Sequence, residues 1–318
     1  MAKKVGILFG MEDTFPWEFI NKVNELGKGD VIAEPVQIDK LEQGADYGYA
    51  VIIDRISQDV PFYRAYLKNA AVCGTYVINN PFWWSADEKF FNNALMSKIG
   101  VPLPNTVLLP SSSRPANTQE SSFRNMKFPL DWEYILEYVG FPCYMKPHDG
   151  GGWKNVYRCT SKEDLWQKLG ETGELVMMVQ EEIVFEDYYR VYCLGKKYVH
   201  IMPYEPRNAP HLRYATEHKT EGAEREKLLK TITELTLKMN EALGYDFNTV
   251  EFAVRDGIPY AIDFCNPAPD ADRNSVGEEN FQWIIEHAAK MAIEKAADYV
   301  PGKTNIAWGN FVTDGLKK

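Results

Sequence analysis

Short apolar runs alternate with helical periodicities along the first part of the chain. Residues 5–9 (VGILF), 31–36, 49–53 (YAVII) and 75–78 are apolar runs of strand length, as expected for buried parallel strands. Between the first two, Phe15, Phe19, Val23 and Leu26 recur at helical spacing, with Asp13 ahead as a cap and Gly27 behind as a stop. Residues 60–70 predict a second helix. The β-α-β-β-α-β order argues a small open α/β domain, bounded here as residues 1–84. Ligands of such domains sit beyond the C-terminal strand ends, which puts residues 10–13 and 54–57 at a site edge. No G-x-G-x-x-G follows the first strand, so the dinucleotide fingerprint is missing.

Further on, Ser85 and Glu88 frame the start of a helix that Gly100 ends. A strand at 106–109, a Ser- and Pro-rich loop at 110–129 and a helix at 131–139 follow. Residues 141–146 and 156–159 read as a hairpin with a glycine tip. Ser161 and Asp164 open a helix that Gly170 stops, and 175–179 (LVMMV) is a strand. Residues 190–194 and 197–202 form a hairpin around Gly195, and 203–219 form a second polar loop. Leu228, Ile232, Leu235, Met239 and Leu243 share one face of a helix over 223–243. Residues 248–254 and 259–264 pair around Asp256-Gly257. Ser275 and Glu278 box a last long helix with Phe281, Ile284, Ile285, Ala288 and Ala292 on its core face. Trp308 and Phe311 anchor the tail to a core.

Composition narrows the function classes. A chain of 318 residues holds two or three domains, and 45% hydrophobic content supplies their cores. A net charge of −10 argues against a general nucleic-acid or anionic-membrane binder. The apolar run after Lys3 and Lys4 stops at Glu12, too short for a signal segment. No stretch approaches the ~20 apolar residues of a membrane span. Cys73, Cys143, Cys159, Cys193 and Cys265 are scattered, with no C-x-x-C, and suit reduced core thiols of a cytoplasmic protein.

Two stretches carry chemistry. In FPCYMKPHDGGGWKNV (141–156), Lys146 ends an apolar strand beside Asp149, Gly150, Gly151 and Gly152. An ammonium next to unobstructed backbone N–H groups is a way to hold phosphates; an ordinary glycine hairpin is the plain alternative. In the second stretch, Glu251 and Asp263 each interrupt an apolar strand, and Asn266 follows at the strand exit. Carboxylates inside strands are costly unless paired or metal-bound, and an all-oxygen set suits Mg²⁺. The plain alternative is two solvent-facing acids.

Together, in this order, these stretches resemble the ATP-grasp superfamily. The resemblance implies an α/β (α+β) fold in which a small open α/β domain precedes two α+β subdomains that clamp the nucleotide. The subdomains would be residues 85–184, with the lysine strand and glycine loop, and 185–318, with the metal carboxylates. It implies ATP binding by Lys89, Lys146, Gly150, Gly151 and Gly152, with Gln180, Glu181, Glu182 and Ile183 as the segment meeting adenine. Asp187 resembles the ribose-binding acid, with Glu186 as rival. Glu251, Asp263 and Asn266 resemble the ligands for Mg²⁺, with Mn²⁺ as the alternative ion. The usual last element is Glu-x-Asn; here it is Asp263-Phe264-Cys265-Asn266. The implied activity is a cytoplasmic ligase that joins a small-molecule carboxylate to an amine, or a thiol, through an acyl phosphate. Arg213, or its rival Arg207, would stabilise the transferring group, and Arg55 would hold a substrate carboxylate by a bidentate fork. The competing readings are an ATP-binding sensor of the same fold, a kinase-like member and an NAD-dependent oxidoreductase. No nucleic-acid or membrane partner is expected. The aromatic run 81–84 suits a homodimer contact or a core plug. His211 and His218 match no zinc pattern.

Overall fold

Each apolar run of the first eighty residues is a strand in the computed structural model, which describes residues 2–82, 88–151, 153–214, 216–303 and 309–317. The N-terminal elements are β1 (Lys3–Leu8), α1 (Phe15–Gly27), β2 (Val31–Pro35), β3 (Val51–Asp54), α2 (Pro61–Val72) and β4 (Tyr76–Ile78). The sheet is parallel, in the order β2-β1-β3-β4. The cap of α1 is Thr14 rather than Asp13, and the Thr14 hydroxyl donates to Asp272 instead of to the helix.

Next come α3 (Lys89–Lys98), β5 (Thr106–Leu109), α4 (Trp132–Val139), β6 (Cys143–Pro147), β7 (Tyr157–Cys159), α5 (Lys162–Glu171) and β8 (Met177–Glu181). They make an antiparallel sheet in the order β5-β8-β6-β7. Leu109, Ile135, Val139, Met145, Leu165, Met177 and Val179 form its core. Asp131 caps α4 and Ser161 caps α5 through their side chains. The β6 strand runs one residue past Lys146, because Pro147 still pairs with Met177.

The C-terminal elements are β9 (Asp187–Leu194), β10 (Tyr198–Pro203), α6 (Gly222–Leu243), β11 (Phe247–Arg255), β12 (Ile258–Asp263), α7 (Arg273–Val276), α8 (Glu278–Ala297) and α9 (Gly309–Lys317). Their sheet is antiparallel, in the order β10-β9-β11-β12. All five residues expected on the core face of α8 are buried. Its start differs from the expected box. Gly277 is the cap, and Ser275 lies in the short α7 with its hydroxyl on Asp270. Ser85, Trp83, Trp84 and Trp308 lie outside the described residues, as does the side chain of Phe311.

The chain divides into two compact units. One comprises Met1–Asp87, Lys98–Val101 and Phe185–Lys318; the other comprises Glu88–Ser97 and Pro102–Val184. In the first unit α8 packs on α1, so Val5, Ile7, Phe15 and Phe19 share a core with Phe247, Phe281, Ile284 and Ala288. Buried Asp246 ties this core together. Lys196 and Lys295 lie 3.0 and 2.9 Å from its Oδ1 as ion pairs, and the Tyr76 hydroxyl donates to Oδ2 at 2.6 Å. Burial alone would raise the Asp246 pKa; the two ammoniums and the hydroxyl overcome it and hold the group below its ordinary value. Among the described residues no helix is long and apolar enough to cross a membrane.

One irregularity decides where side chains point. Asp256 and Gly257, both at positive φ, make the tight turn between β11 and β12. From there the pairing runs Arg255 with Ile258, Val254 with Pro259, Ala253 with Tyr260 and Phe252 with Ala261. Regular continuation would set Glu251 against Ile262. A bulge intervenes, and Glu251 pairs with Asp263. On its other side Glu251 pairs with Arg190 of β9.

Candidate functional site

The first unit carries a row of charged side chains across three strands: Arg190, Glu251 and Asp263 are successive register partners. The Glu251 carboxylate has a protein group at each oxygen. The Tyr188 hydroxyl donates to Oε2 at 2.7 Å, and Arg190 Nε lies 3.8 Å from Oε1. Asp263 faces Glu251 directly, and like charges so placed destabilise a sheet. A cation offsets that cost. Asn266 stands close by: its Nδ2 donates to Thr249 O at 3.1 Å, and its backbone N–H donates to Asn248 Oδ1 at 2.9 Å. These bonds commit the donor end of the amide and leave the acceptor end for a cation. Two carboxylates and an amide oxygen fit a hard divalent ion such as Mg²⁺. No group of three or more His, Cys, Asp or Glu with metal-binding geometry occurs among the described residues.

Tyrosines surround Arg190. Its Nη1 donates to the Tyr214 hydroxyl at 3.2 Å, and its guanidinium lies over the Tyr204 ring, 5.5 Å from the centroid. Burial alone would lower its pKa; Glu251 and the neighbouring tyrosines raise it further than that, so the group stays charged. Arg190 is not among the residues that the sequence motifs single out. The available signal was an arginine inside the apolar strand YYRVYCL, which is costly to bury without a task.

The loop arginines sit differently. Arg207 is 65% exposed and grips Glu205 with Nε and Nη2, both at 2.6 Å. Arg213 donates from Nε to Asn208 O at 3.2 Å and from Nη1 to the Tyr204 hydroxyl at 3.4 Å.

Asp187 and Arg55 lie in surroundings that the sequence alone does not indicate. Asp187 is buried, and its oxygens accept from the N–H groups of Lys219 and Thr220 and from the Thr220 hydroxyl. Burial would raise its pKa, but these bonds win and hold it below the ordinary value. Its carboxylate therefore anchors the polar loop ahead of α6, whereas neighbouring Glu186 is exposed. Arg55 is also buried; its Nε and Nη2 are engaged within the chain, while Nη1 is buried with no hydrogen-bond partner. Nε donates to Glu12 at 3.0 Å, one Nη2–H goes to the other Glu12 oxygen, and Nη2 also donates to Pro269 O at 2.7 Å. The guanidinium is 1% exposed and the Glu12 side chain 31%, so a carboxylate faces outward there rather than a cation.

The second unit carries the lysines. Lys146 Nζ donates to Gln180 Oε1 at 3.0 Å, and Gln180 Nε2 donates to Thr106 Oγ1 at 3.0 Å. Buried Gln180 thus fixes where the ammonium stands. The Lys89 N–H donates to His148 O at 2.7 Å, which brings the start of α3 to the end of the strand holding Lys146. Gly150 has φ +79°, a conformation an L side chain resists, and nothing lies within 4 Å of where its Cβ would be. Gly151 is likewise open, and Gly152 lies outside the described residues. Glu181 pairs with Asn105 and Glu182 with Arg158, while Ile183 is buried. The Glu181 N–H is engaged as well, donating to Asn105 O at 2.9 Å.

No family model matches the chain. A D-alanine–D-alanine ligase of Clostridium botulinum strain Hall is 26% identical over 159 residues, covering 46% of this chain and 51% of that protein. The chain thus spans about half the length of the curated relatives it matches. Among solved structures, a RimK domain protein ATP-grasp from Sphaerobacter thermophilus superposes with a TM-score of 0.63 at 15% identity, covering 91% of this chain and 99% of that one. The ATP-grasp ligase PsnB, complexed with a minimal precursor, Mg and ADP, gives 0.60 at 15% identity, covering 92% and 97%.

Proposed function

For a chain that has the ATP-grasp fold, we propose ATP- and Mg²⁺-dependent ligation of a carboxylate to an amine. The observation that carries the reading is the bulge in the β11–β12 hairpin, which sets Glu251 opposite Asp263 where regular pairing would not. Glu251, Asp263 and Asn266 are the proposed ligands of Mg²⁺. When bound, the ion supplies charge neutralisation at the nucleotide phosphates. Lys146, Lys89 and the N–H groups of Gly150 and Gly151 are proposed to hold phosphate oxygens. Gln180 keeps Lys146 in place, and the segment from Gln180 to Ile183 is proposed to meet adenine. Glu186 takes over from Asp187 as the proposed ribose carboxylate.

In the reaction a substrate carboxylate oxygen attacks the γ-phosphorus, and the bond from phosphorus to the ADP oxygen breaks. The acyl phosphate then reacts with the amine; the carbon–nitrogen bond forms and inorganic phosphate leaves. The protein supplies positioning and fixed charge rather than covalent chemistry. The similar proteins include a D-alanine–D-alanine ligase and a ligase complexed with a precursor. Free amino acids and peptide-borne carboxylates are therefore both to be screened.

The test is thermal unfolding with Mg·ATP, with ATP alone and with NADH, on wild type and Glu251→Gln. A ligand at 100 times its Kd adds about 2.7 kcal/mol of stability. A rise that needs both Mg²⁺ and ATP and is lost in Glu251→Gln is expected, followed by ADP release when acids and amines are supplied. No response to ATP, or a larger one to NADH, refutes the reading.

A further inference from the structure

Two residues, Phe264 and Cys265, separate Asp263 from Asn266, where the Glu-x-Asn pattern has one. The extra residue changes the geometry. Side chains three positions apart on a regular strand lie on opposite faces, so β12 continued past Asp263 would carry Asn266 away from Glu251. Instead β12 ends at Asp263. The Asn266 side chain reaches Thr249 O at 3.1 Å, two residues from Glu251 along β11.

What holds the chain there comes from the other face of β11. Asn248 stands three residues before Glu251 and faces away from it, toward α6. It is fully buried, and its amide makes hydrogen bonds on both ends. Oδ1 accepts the Asn266 N–H at 2.9 Å; Nδ2 donates to Phe264 O at 2.8 Å and to Asn240 Oδ1 of α6 at 2.9 Å. One side-chain amide thus pairs the backbone on both sides of Cys265, as a neighbouring strand's backbone would. Its orientation is fixed by its partners. Turned over, it would set donor against the Asn266 N–H and acceptor against Phe264 O in a site closed to water. Pro267 then follows with no N–H to extend a ladder. Asn266 is therefore held at its backbone by the Asn248 side chain and at Nδ2 by the carbonyl of adjacent Thr249. Those two bonds set where its Oδ1 stands.

We propose that Asn248 is the positioning residue of the cation site: it clamps the lengthened segment from Asp263 to Asn266 so that Asn266 Oδ1 joins the two carboxylates as an oxygen ligand. This rests on the ligase reading above. Asn248 faces away from the cation and acts through Asn266.

The experiment uses Mn²⁺ and ADP as probes. Mn²⁺ binding is read by electron paramagnetic resonance in the presence of ADP, and ADP binding is read separately in excess chelator. Asn248→Ala leaves room for a water to satisfy the freed partners. It is expected to lose about 10- to 100-fold in Mn²⁺ affinity, the usual effect of removing the partner of a metal ligand, and to bind metal-free ADP as wild type does. Asn266→Ala is expected to lose at least as much, and adding Asn248→Ala to it to cost nothing further, because residues acting as one unit are not additive. Unchanged Mn²⁺ affinity in Asn248→Ala, an equal loss of metal-free ADP binding, or a full further loss in the double variant overturns the assignment and leaves the ligase reading intact. Wild type that binds no Mn²⁺ with ADP overturns the ligase reading, and this assignment with it. If Asn248→Ala does not fold, hydrogen exchange in wild type decides: the clamp makes the Asn266 amide slow to exchange, and exchange at the rate of an exposed amide overturns it.

Discussion

Two acidic clusters lie along one strand, and they are built to opposite ends. Asp246, immediately before β11, meets two ammoniums and a phenol. Glu251, within β11, meets another carboxylate across one ladder and an arginine across the other. The first cluster closes its charge inside the fold and joins β4, α8 and the β9–β10 turn. The second sets two acids face to face, which costs stability unless a cation is shared between them. Burial alone does not separate them; the sign of the partners does, since Asp246 meets two cations and Glu251 meets a like charge as well as a cation.

Four substitutions or titrations break or sharpen this contrast. The largest effect is expected from Asp246→Ala. Removing one partner of a buried ion cluster costs about 3–5 kcal/mol, read as a shift in denaturant midpoint at unchanged slope. Next, Glu251→Gln removes the ~2.7 kcal/mol that saturating Mg·ATP adds. It leaves ligand-free stability within about 1 kcal/mol, because it also relieves a like-charge pair. If Glu251→Gln unfolds the ligand-free protein as badly as Asp246→Ala does, the two clusters are of one kind and the contrast is wrong. Lys146→Met is expected to weaken nucleotide binding by about 1.5–3 kcal/mol, the worth of a hydrogen bond to a charged group, as measured by titration calorimetry. The smallest effect is acid titration. The folded pKa of Asp246 is depressed, so its stabilisation is complete above the unfolded value of about 3.9 and is lost as pH falls through the folded value. Half a unit below the unfolded value the loss is under about 1 kcal/mol, and it vanishes from the pH profile of Asp246→Asn.

The strands and helices were legible where burial writes a period into the chain. The core face of α8, from Phe281 to Ala292, is an example. Glu251 and Asp263 stood out because charge is rare inside apolar strands. Their pairing was not legible, since counting back from the Asp256-Gly257 turn puts them on opposite faces and only the bulge reverses that. The partners of Arg55 and Asp187 were hidden for another reason. Glu12 lies 43 residues from Arg55, and Thr220 lies 33 from Asp187, and no local pattern encodes contacts across such distances. Arg190 was readable in principle as a buried charge, but its place in the row depends on the register of β9 against β11. The Ser275 box failed because Asp270 competed for the hydroxyl.

The bulge at Ile262 also makes the site sensitive to length rather than to chemistry. One residue more than a regular hairpin needs lies between the turn and Asp263. A chain lacking Ile262 would bring Asp263 opposite Glu251 with no bulge at all, on a straighter ribbon. A chain with one extra residue and no further bulge would turn Asp263 to the far face, because side chains alternate along a strand. Single-residue deletions and insertions in β12 therefore behave as a parity test, and relatives that differ there by one position can keep or lose the carboxylate pair without a change to either acid.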